Sequence, residues 1–329
     1  MSQPSPSLRV NLGPLPLEHP LINASGTLDL LSAADALGDG IRSSPPVAAH
    51  VPKTVTLEPR HGNPPPRIAE CAAGMLNSIG LPNEGIAAFV TDTLPRLLEL
   101  TCPLVINIAG FSLEEYVLVA ERLVTALRAL LGQAERMWAA RVGLEINISC
   151  PNVHSGCMSI GTDAGETAAV TEAVRRVWPE PLLLAVKLTP NVTDIAAVAL
   201  AAQEAGASAV SLVNTFKGMV LDRETLRPYL GGVTGGLSGP AIKPLALRCV
   251  FEVAAAVQIP VIGMGGVATV EDVLDFMACG AGVVAVGAAG FVDPWLPGRL
   301  ALELGEELRR RRLTLAELVG IAHRQQVRL

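Results

Sequence analysis

Short apolar runs with a two-residue period alternate along the chain with longer stretches whose apolar positions recur every three to four residues. Eight short runs occur, at residues 21–25, 47–53, 104–107, 144–148, 183–187, 209–214, 260–263 and 283–287. Between them the spacing predicts helices over 114–131, 166–178, 194–205, 242–257, 270–278 and 297–311. Thr269, just ahead of Glu271 and Asp272, reads as an N-cap followed by an acidic first turn. Strands that alternate with helices predict a parallel sheet, and burial on both faces explains why the runs are almost continuously apolar. Eight repeats predict closure into a single α/β (β/α)8 TIM barrel. Residues 55–85 are too long for a turn and carry Pro64-Pro65-Pro66, which predicts an elaborated loop over the C-terminal mouth. Residues 43–50 read as a small irregular insert. One domain over 9–329 is expected, after a flexible N-terminus at 1–8.

In this fold active sites lie at the C-terminal strand ends. Ser25, Lys53, Asn107, Asn147, Lys187 and Asn214 all end their runs, and the last two runs lead into Gly265-Gly266 and Gly287. The most informative stretch is Gly143-Leu144-Glu145-Ile146-Asn147-Ile148-Ser149-Cys150-Pro151-Asn152. Its alternation breaks at Pro151 and leaves Asn147, Ser149, Cys150 and Asn152 at one strand end, although a buried strand needs none of these polar groups. A thiol with a reference pKa of about 8.5 can gain and lose a proton near neutrality, which suits an acid/base role. The competing reading is a buried structural cysteine.

Lys187 follows five apolar residues, and Lys53 opens Lys53-Thr54-Val55-Thr56. Each is either a snorkelling lysine or a fixed cation that faces an anion in the mouth. Two such cations beside amides suit a ligand with delocalised negative charge, such as a reduced flavin, and a carboxylate substrate. Gly235–Pro240 and Gly263–Gly266, with Gly287, fall at the last barrel corners. Glycine lets backbone N–H groups approach a phosphate, and barrels often build that site after strands seven and eight; plain turns are the alternative. Asn77, Asn107, Asn147, Asn152 and Asn214 would together present donors and acceptors to a flat polar heterocycle, whereas any one alone reads as a turn or cap residue.

Half of the 329 residues are hydrophobic and only 3% are aromatic, so the core must be aliphatic. The net charge of −6 comes with no basic stripe, which argues against nucleic acid. The run Arg309–Arg312 reads as the solvated end of a helix. Six cysteines without a Cys-x-x-Cys pair predict no metal or iron–sulfur site in this chain. No Gly-x-Gly-x-x-Gly opens a dinucleotide-binding unit. The N-terminus lacks the apolar core of a signal peptide, and no uninterrupted apolar run reaches 18 residues, so a cytoplasmic protein without membrane spans is expected.

The motifs resemble those of the dihydroorotate dehydrogenases, flavin enzymes of pyrimidine (UMP) biosynthesis. The similarity runs from Asn23-Ala24-Ser25-Gly26 to Phe291-Val292-Asp293-Pro294. It includes Lys53-Thr54-Val55-Thr56, Gly62-Asn63-Pro64, residues 76–83, residues 147–152, Asn214-Thr215, residues 235–240 and residues 263–266. The resemblance implies FMN at the barrel mouth, contacted by Ser25, Lys53, Thr54, Asn107, Asn147, Lys187, Val213, Gly239, Gly265, Gly266, Gly287 and the backbone at Ala288. Many relatives carry Thr at that last position. Dihydroorotate or orotate would be held by Lys53, by Asn77, Ser78, Ile79, Gly80 and Leu81, and by Asn147, Asn152, Asn214 and Thr215. Cys150 would take the C5 proton while a hydride passes from C6 to the flavin, and Lys187 would stabilise charge on the reduced flavin.

A Cys base marks the soluble class; the membrane-associated class uses Ser there and carries an N-terminal extension. Within the soluble class, residues 214–219, 234–240 and 291–294 look like the NAD-linked group, in which an FAD and iron–sulfur subunit receives the electrons. A homodimeric core is expected. Leu81-Pro82-Asn83 is shared with the fumarate-reducing homodimers, the alternative reading. A dihydropyrimidine dehydrogenase-like enzyme would normally continue Ser-Cys-Pro with His-Gly, where this chain has Asn152-Val153.

Overall fold

The computed structural model describes residues 7–149 and 157–324. An antiparallel hairpin of β1 (Val10–Leu12) and β2 (Leu15–Leu17) leads into β3 (Leu21–Asn23). Two lid strands follow, β4 (Ile68–Cys71) and β5 (Gly74–Asn77), and then β6 (Leu104–Ile108), β7 (Val142–Asn147), β8 (Leu183–Lys187) and β9 (Ala209–Leu212). The chain adds β10 (Phe216–Gly218) and β11 (Gly235–Ser238) to the lid before β12 (Val261–Met264) and β13 (Val283–Val286). Seven of these strands form one parallel sheet in the order β3-β13-β12-β9-β8-β7-β6.

The two-residue period sorts the strand residues into two layers. Leu144 and Ile146 of β7, with Leu184 and Val186 of β8 and Val210 of β9, pack against the helices. The opposite faces carry Val105, Leu183, Ala185, Ala209, Ile262 and Val283, which fill the barrel axis together with Leu12, Leu15 and Leu17 of the hairpin. That hairpin closes the N-terminal end of the barrel.

The helices lie where their periodicity predicts, at Leu113–Leu131, Ala164–Val177, Ile195–Glu204, Lys243–Ala256, Val270–Ala278 and Leu296–Arg311. Their starts are set by side chains: Ser112, Asp163, Asp194 and Thr269 each accept a backbone N–H of the first turn, and Thr269 does so within a capping box with Asp272. At the end of the last of these helices Arg310 and Arg311 pair with Glu307 at the surface. The helix Leu30–Leu37 was not signalled by its spacing; it is started by Asp29.

Two expectations need correction. Residues 47–53 do not form a strand. They occupy the eighth position, between β3 and β6, but the ladder there is broken because Pro52 has no N–H to donate. Single bonds close the seam instead: Ala48 N–H donates to Leu21 O, His50 N–H to Pro103 O, Val105 N–H to His50 O and Val55 N–H to Asn107 O. Asn23 supplies a substitute peptide. Its Oδ1 accepts from Val51 N–H at 2.9 Å, and its Nδ2 donates to Val51 O at 2.7 Å.

The second correction concerns the mouth. The expected loop contains the β4–β5 hairpin, which joins β11 and β10 in a four-stranded antiparallel lid of order β10-β11-β5-β4. The lid therefore comes from two insertions far apart in sequence. Gly235 and Gly236 belong to it and not to a phosphate corner: a Cβ at Gly236 would lie 1.8 Å from Thr215 Oγ1, so that glycine serves close packing. Residues 1–6 of the expected N-terminal segment lie outside the described residues.

Two stability outcomes follow from the seam. Asn23→Ala strands the buried N–H and C=O of Val51 and should cost about 2–4 kcal/mol in urea denaturation. His50 is wholly buried, and among the described residues neither ring nitrogen has a partner. Burial lowers its pKa to about 4, against a smaller raising effect of Asp29. The unfolded state then binds the extra proton, so this contribution is complete above pH 6.5 and is lost as pH falls towards 4, by about 3 kcal/mol. The acid limb of a Tm-against-pH curve should flatten in His50→Gln.

Candidate active site

The C-terminal ends of the strands open into a cavity of about 1090 Å3, its open mouth included. Its floor is formed by Thr54, Asn147, Lys187 and Val213. Alternation along β8 turns Leu183, Ala185 and Lys187 to the axis, so the apolar column ends in an ammonium group at the mouth. Lys187 is only 5% exposed, lines the cavity and forms no ion pair among the described residues. Desolvating an unpaired ammonium costs several kcal/mol, which makes this floor a seat for negative charge.

A hydrogen-bonded relay crosses the floor. Asn214 Nδ2 donates to Ser149 Oγ at 2.7 Å, Ser149 Oγ donates to Asn147 Oδ1 at 2.8 Å, and Asn147 Nδ2 donates to Thr54 Oγ1 at 3.4 Å. The buried Tyr116 hydroxyl adds a bond to Asn147 O at 2.8 Å. The relay ties the end of β7 to the segment after β9 and fixes the chain up to Ser149. Cys150 and Asn152 lie outside the described residues.

Around the rim, Ser25 Oγ donates to Pro52 O, which joins the ends of β3 and the seam segment. Lys53 lies across Gly26, where φ is +73° and a Cβ would come within 2.9 Å of the lysine Cδ; only glycine leaves that path open. A backbone corner is formed by Gly239, Gly265, Gly266, Gly287 and Ala288. Gly239 and Gly266 both have positive φ, and a Cβ on Gly266 would lie 2.8 Å from Gly239 O. The nearby Lys243 is already committed, to Asp272 at 2.5 Å and Asp275 at 2.7 Å. Burial works against its charge, but these two carboxylates outweigh it and raise its pKa. The corner therefore offers bare backbone at the ends of β12 and β13, the usual place for a phosphate in this fold.

The lid supplies Asn77, Ile79, Gly80 and Leu81 to the wall, opposite Asn214 and Thr215. Asn77 Nδ2 donates to Gly236 O across the lid strands. Leu81, with φ of +56°, is held by Asn83, whose Nδ2 donates to Leu81 O and Thr56 Oγ1. Ser78 is fully buried, with its Oγ accepting from Asn63, and does not line the cavity. Asn107 is also absent from the wall. Its Nδ2 donates to Glu145 Oε1 at 2.5 Å, one layer below the floor.

The model of the dihydroorotate dehydrogenase family matches residues 7–308. The chain belongs to the dihydroorotate dehydrogenase family. It is 45% identical over 320 residues to the protein named dihydroorotate dehydrogenase B (NAD(+)), catalytic subunit, of Desulforudis audaxviator, covering 96% of this chain and 97% of that one. A protein of the same name from Bacillus pumilus is 45% identical over 297 residues, with 90% of each chain covered. Among solved structures, the DHODH of Eimeria tenella in complex with ferulenol superposes with a TM-score of 0.77 at 22% identity, over 97% of this chain and 89% of that chain, a likeness of fold.

Family motifs locate most of the rim and floor. They did not single out Ser149 as the centre of the relay, nor Tyr116, although Ser149 stood among the polar groups at the strand break. Glu145 was missed altogether, and the signal was available: a carboxylate two residues from Asn147 on a strand must share its face. The relay predicts coupling. Ser149→Ala should cost about 1–3 kcal/mol by leaving buried amide groups short of partners. A double-mutant cycle with Asn214→Ala should show a coupling energy of at least about 0.5 kcal/mol in urea denaturation.

Proposed function

We propose that this chain is the substrate-oxidising subunit of an NAD-linked dihydroorotate dehydrogenase, one FMN-binding unit over residues 9–329 that converts dihydroorotate to orotate. The observation that carries the reading is the buried ammonium of Lys187, which faces a cavity flanked by the Asn147–Ser149–Asn214 relay, in a chain that nearly spans its NAD-type relatives.

The residues present fit FMN. Lys187 offers a buried cation without an ion-pair partner among the described residues, and Gly239, Gly265, Gly266, Gly287 and the backbone of Ala288 offer a corner without side chains for its phosphate. Ser25, Lys53, Thr54, Asn147 and Val213 complete the contacts, with Asn107 held just beneath. FMN, when bound, supplies the acceptor for a hydride from C6 of dihydroorotate. The chain's own residues do the rest. Cys150 removes the C5 proton on its sulfur and releases it to solvent, and loss of that proton with the C6 hydride creates the C5–C6 double bond. Lys53, Asn77, Asn147, Asn152, Asn214 and Thr215, with Ile79, Gly80 and Leu81, orient the substrate, and Ser78 supports that segment from behind. Lys187 favours negative charge at the floor, and the lid limits water access. The electrons leave through a partner subunit that carries FAD and an iron–sulfur cluster, in a cytoplasmic assembly built on a homodimer of this chain.

The test is anaerobic rapid mixing with dihydroorotate. The wild-type protein should carry FMN whose absorbance bleaches. Cys150→Ala should keep FMN but bleach at least about 100-fold more slowly at neutral pH; bleaching at the wild-type rate would end the assignment of the base. Reoxidation by fumarate in the absence of any partner would favour the fumarate-reducing alternative.

A further inference from the structure

The chemistry above leaves one buried charge unused. Glu145, at the middle of β7, is 3% exposed. Its Oε1 accepts from Asn107 Nδ2 at 2.5 Å and its Oε2 from Ser211 Oγ at 2.5 Å. Neither donor is a cation, and among the described residues the carboxylate forms no ion pair. Its surroundings on the axis are otherwise apolar, with Val105, Leu183, Ala185 and Ala209 in the same cluster. For stability alone, an apolar side chain of similar size would serve such a place as well or better.

Register explains the placement. Asn107 pairs with Glu145, Glu145 with Ala185, Asn147 with Lys187, and Lys187 with Ser211. The small Ala185 lets Glu145 reach Ser211, two strands away. Glu145 lies one two-residue step below Asn147, Asn107 is its register partner and Ser211 is the register partner of Lys187; none of the three lines the cavity. Among the described residues the buried Asn107 Oδ1 has no partner, so the orientation of this carboxamide depends on Glu145.

We propose that Glu145 is a positioning residue whose negative charge, one layer below the floor, offsets Lys187 and holds bound FMN at a lower reduction potential than Lys187 alone would set. This rests on the FMN reading. Lys187 and Lys53 are the charged groups that the cavity presents to that layer.

The experiment is a dye-equilibrated reductive titration of FMN-loaded protein. Glu145→Gln is close in shape: Asn107 can turn its free Oδ1 to the new amide N–H, and Ser211 can still donate. Losing a unit charge just below the floor should raise the reduced-to-oxidised ratio at a fixed potential about tenfold, the Coulomb effect expected for a separation on the order of 10 Å at an effective dielectric constant near 20. Ser211→Ala keeps the charge and should leave that ratio within about twofold while lowering Tm. An unchanged ratio in Glu145→Gln overturns the proposal, as does an equal shift in Ser211→Ala. If Glu145→Gln takes up no FMN, Glu145→Asp must restore uptake and the wild-type ratio, and failure to do so also overturns it. A wild-type protein that takes up no FMN would overturn the FMN reading itself.

Discussion

Everything at the mouth depends on strand alternation in a closed barrel. A strand buried on both faces can place a polar side chain only on the axis or among the helices. On the axis, each step of two residues climbs one layer towards the C-terminal end. The column on β7 runs from Gly143 through Glu145 to Asn147, and the column on β8 from Leu183 through Ala185 to Lys187. Polarity therefore rises from an apolar plug at the hairpin to an ammonium without a direct ion-pair partner, among the described residues, at the floor. The functional groups come from the same periodicity that builds the core.

This arrangement places costly elements next to one another. The carboxylate of Glu145 and the ammonium of Lys187 are both buried and have no direct ion-pair partner among the described residues. Asn23 spends its carboxamide on the seam, where Pro52 interrupts the ladder. These polar groups sit on or beside the axis, whereas the helix-facing layer is overwhelmingly apolar, aliphatic residues with a few aromatics such as Trp138, Trp178 and Phe276. Stability is supplied on the outer face and exceptions to it are concentrated on the axis, as expected when binding, not packing, has set the residues there.

Much of the architecture was legible because it is local. One helix start announced itself through Thr269, the helix bodies through their spacing, and seven of eight strands through nearly continuous apolar runs; the caps at Ser112, Asp163 and Asp194 emerge from the structure. What was not legible is long-range. Residues 47–53 read as a strand despite Pro52, a local signal against it; the carboxamide of Asn23, which completes the seam from elsewhere in the chain, was not legible. The lid joins residues 68–77 to residues 216–238, and nothing in either segment names the other. The glycines at 235 and 236 looked like those at 265 and 266; only the strand packed on them separates a lid from a phosphate corner. For Asn107 the run gave the position at a strand end but not the direction of its carboxamide, which Glu145 turns inward. The family motifs supplied the proposed base, Cys150, and the proposed ligand; the structure added the relay that fixes the chain up to Ser149.

The central claim is that the floor around Lys187 is built to receive negative charge from a bound flavin, with the thiol of Cys150 on the far side of the substrate. A crystal structure of the protein with FMN and orotate tests it most directly. The account predicts the Lys187 Nζ within hydrogen-bond reach of the isoalloxazine and the Cys150 Sγ against the orotate face turned away from that ring. An Nζ paired with a protein carboxylate, or a sulfur packed into the aliphatic layer, would contradict it.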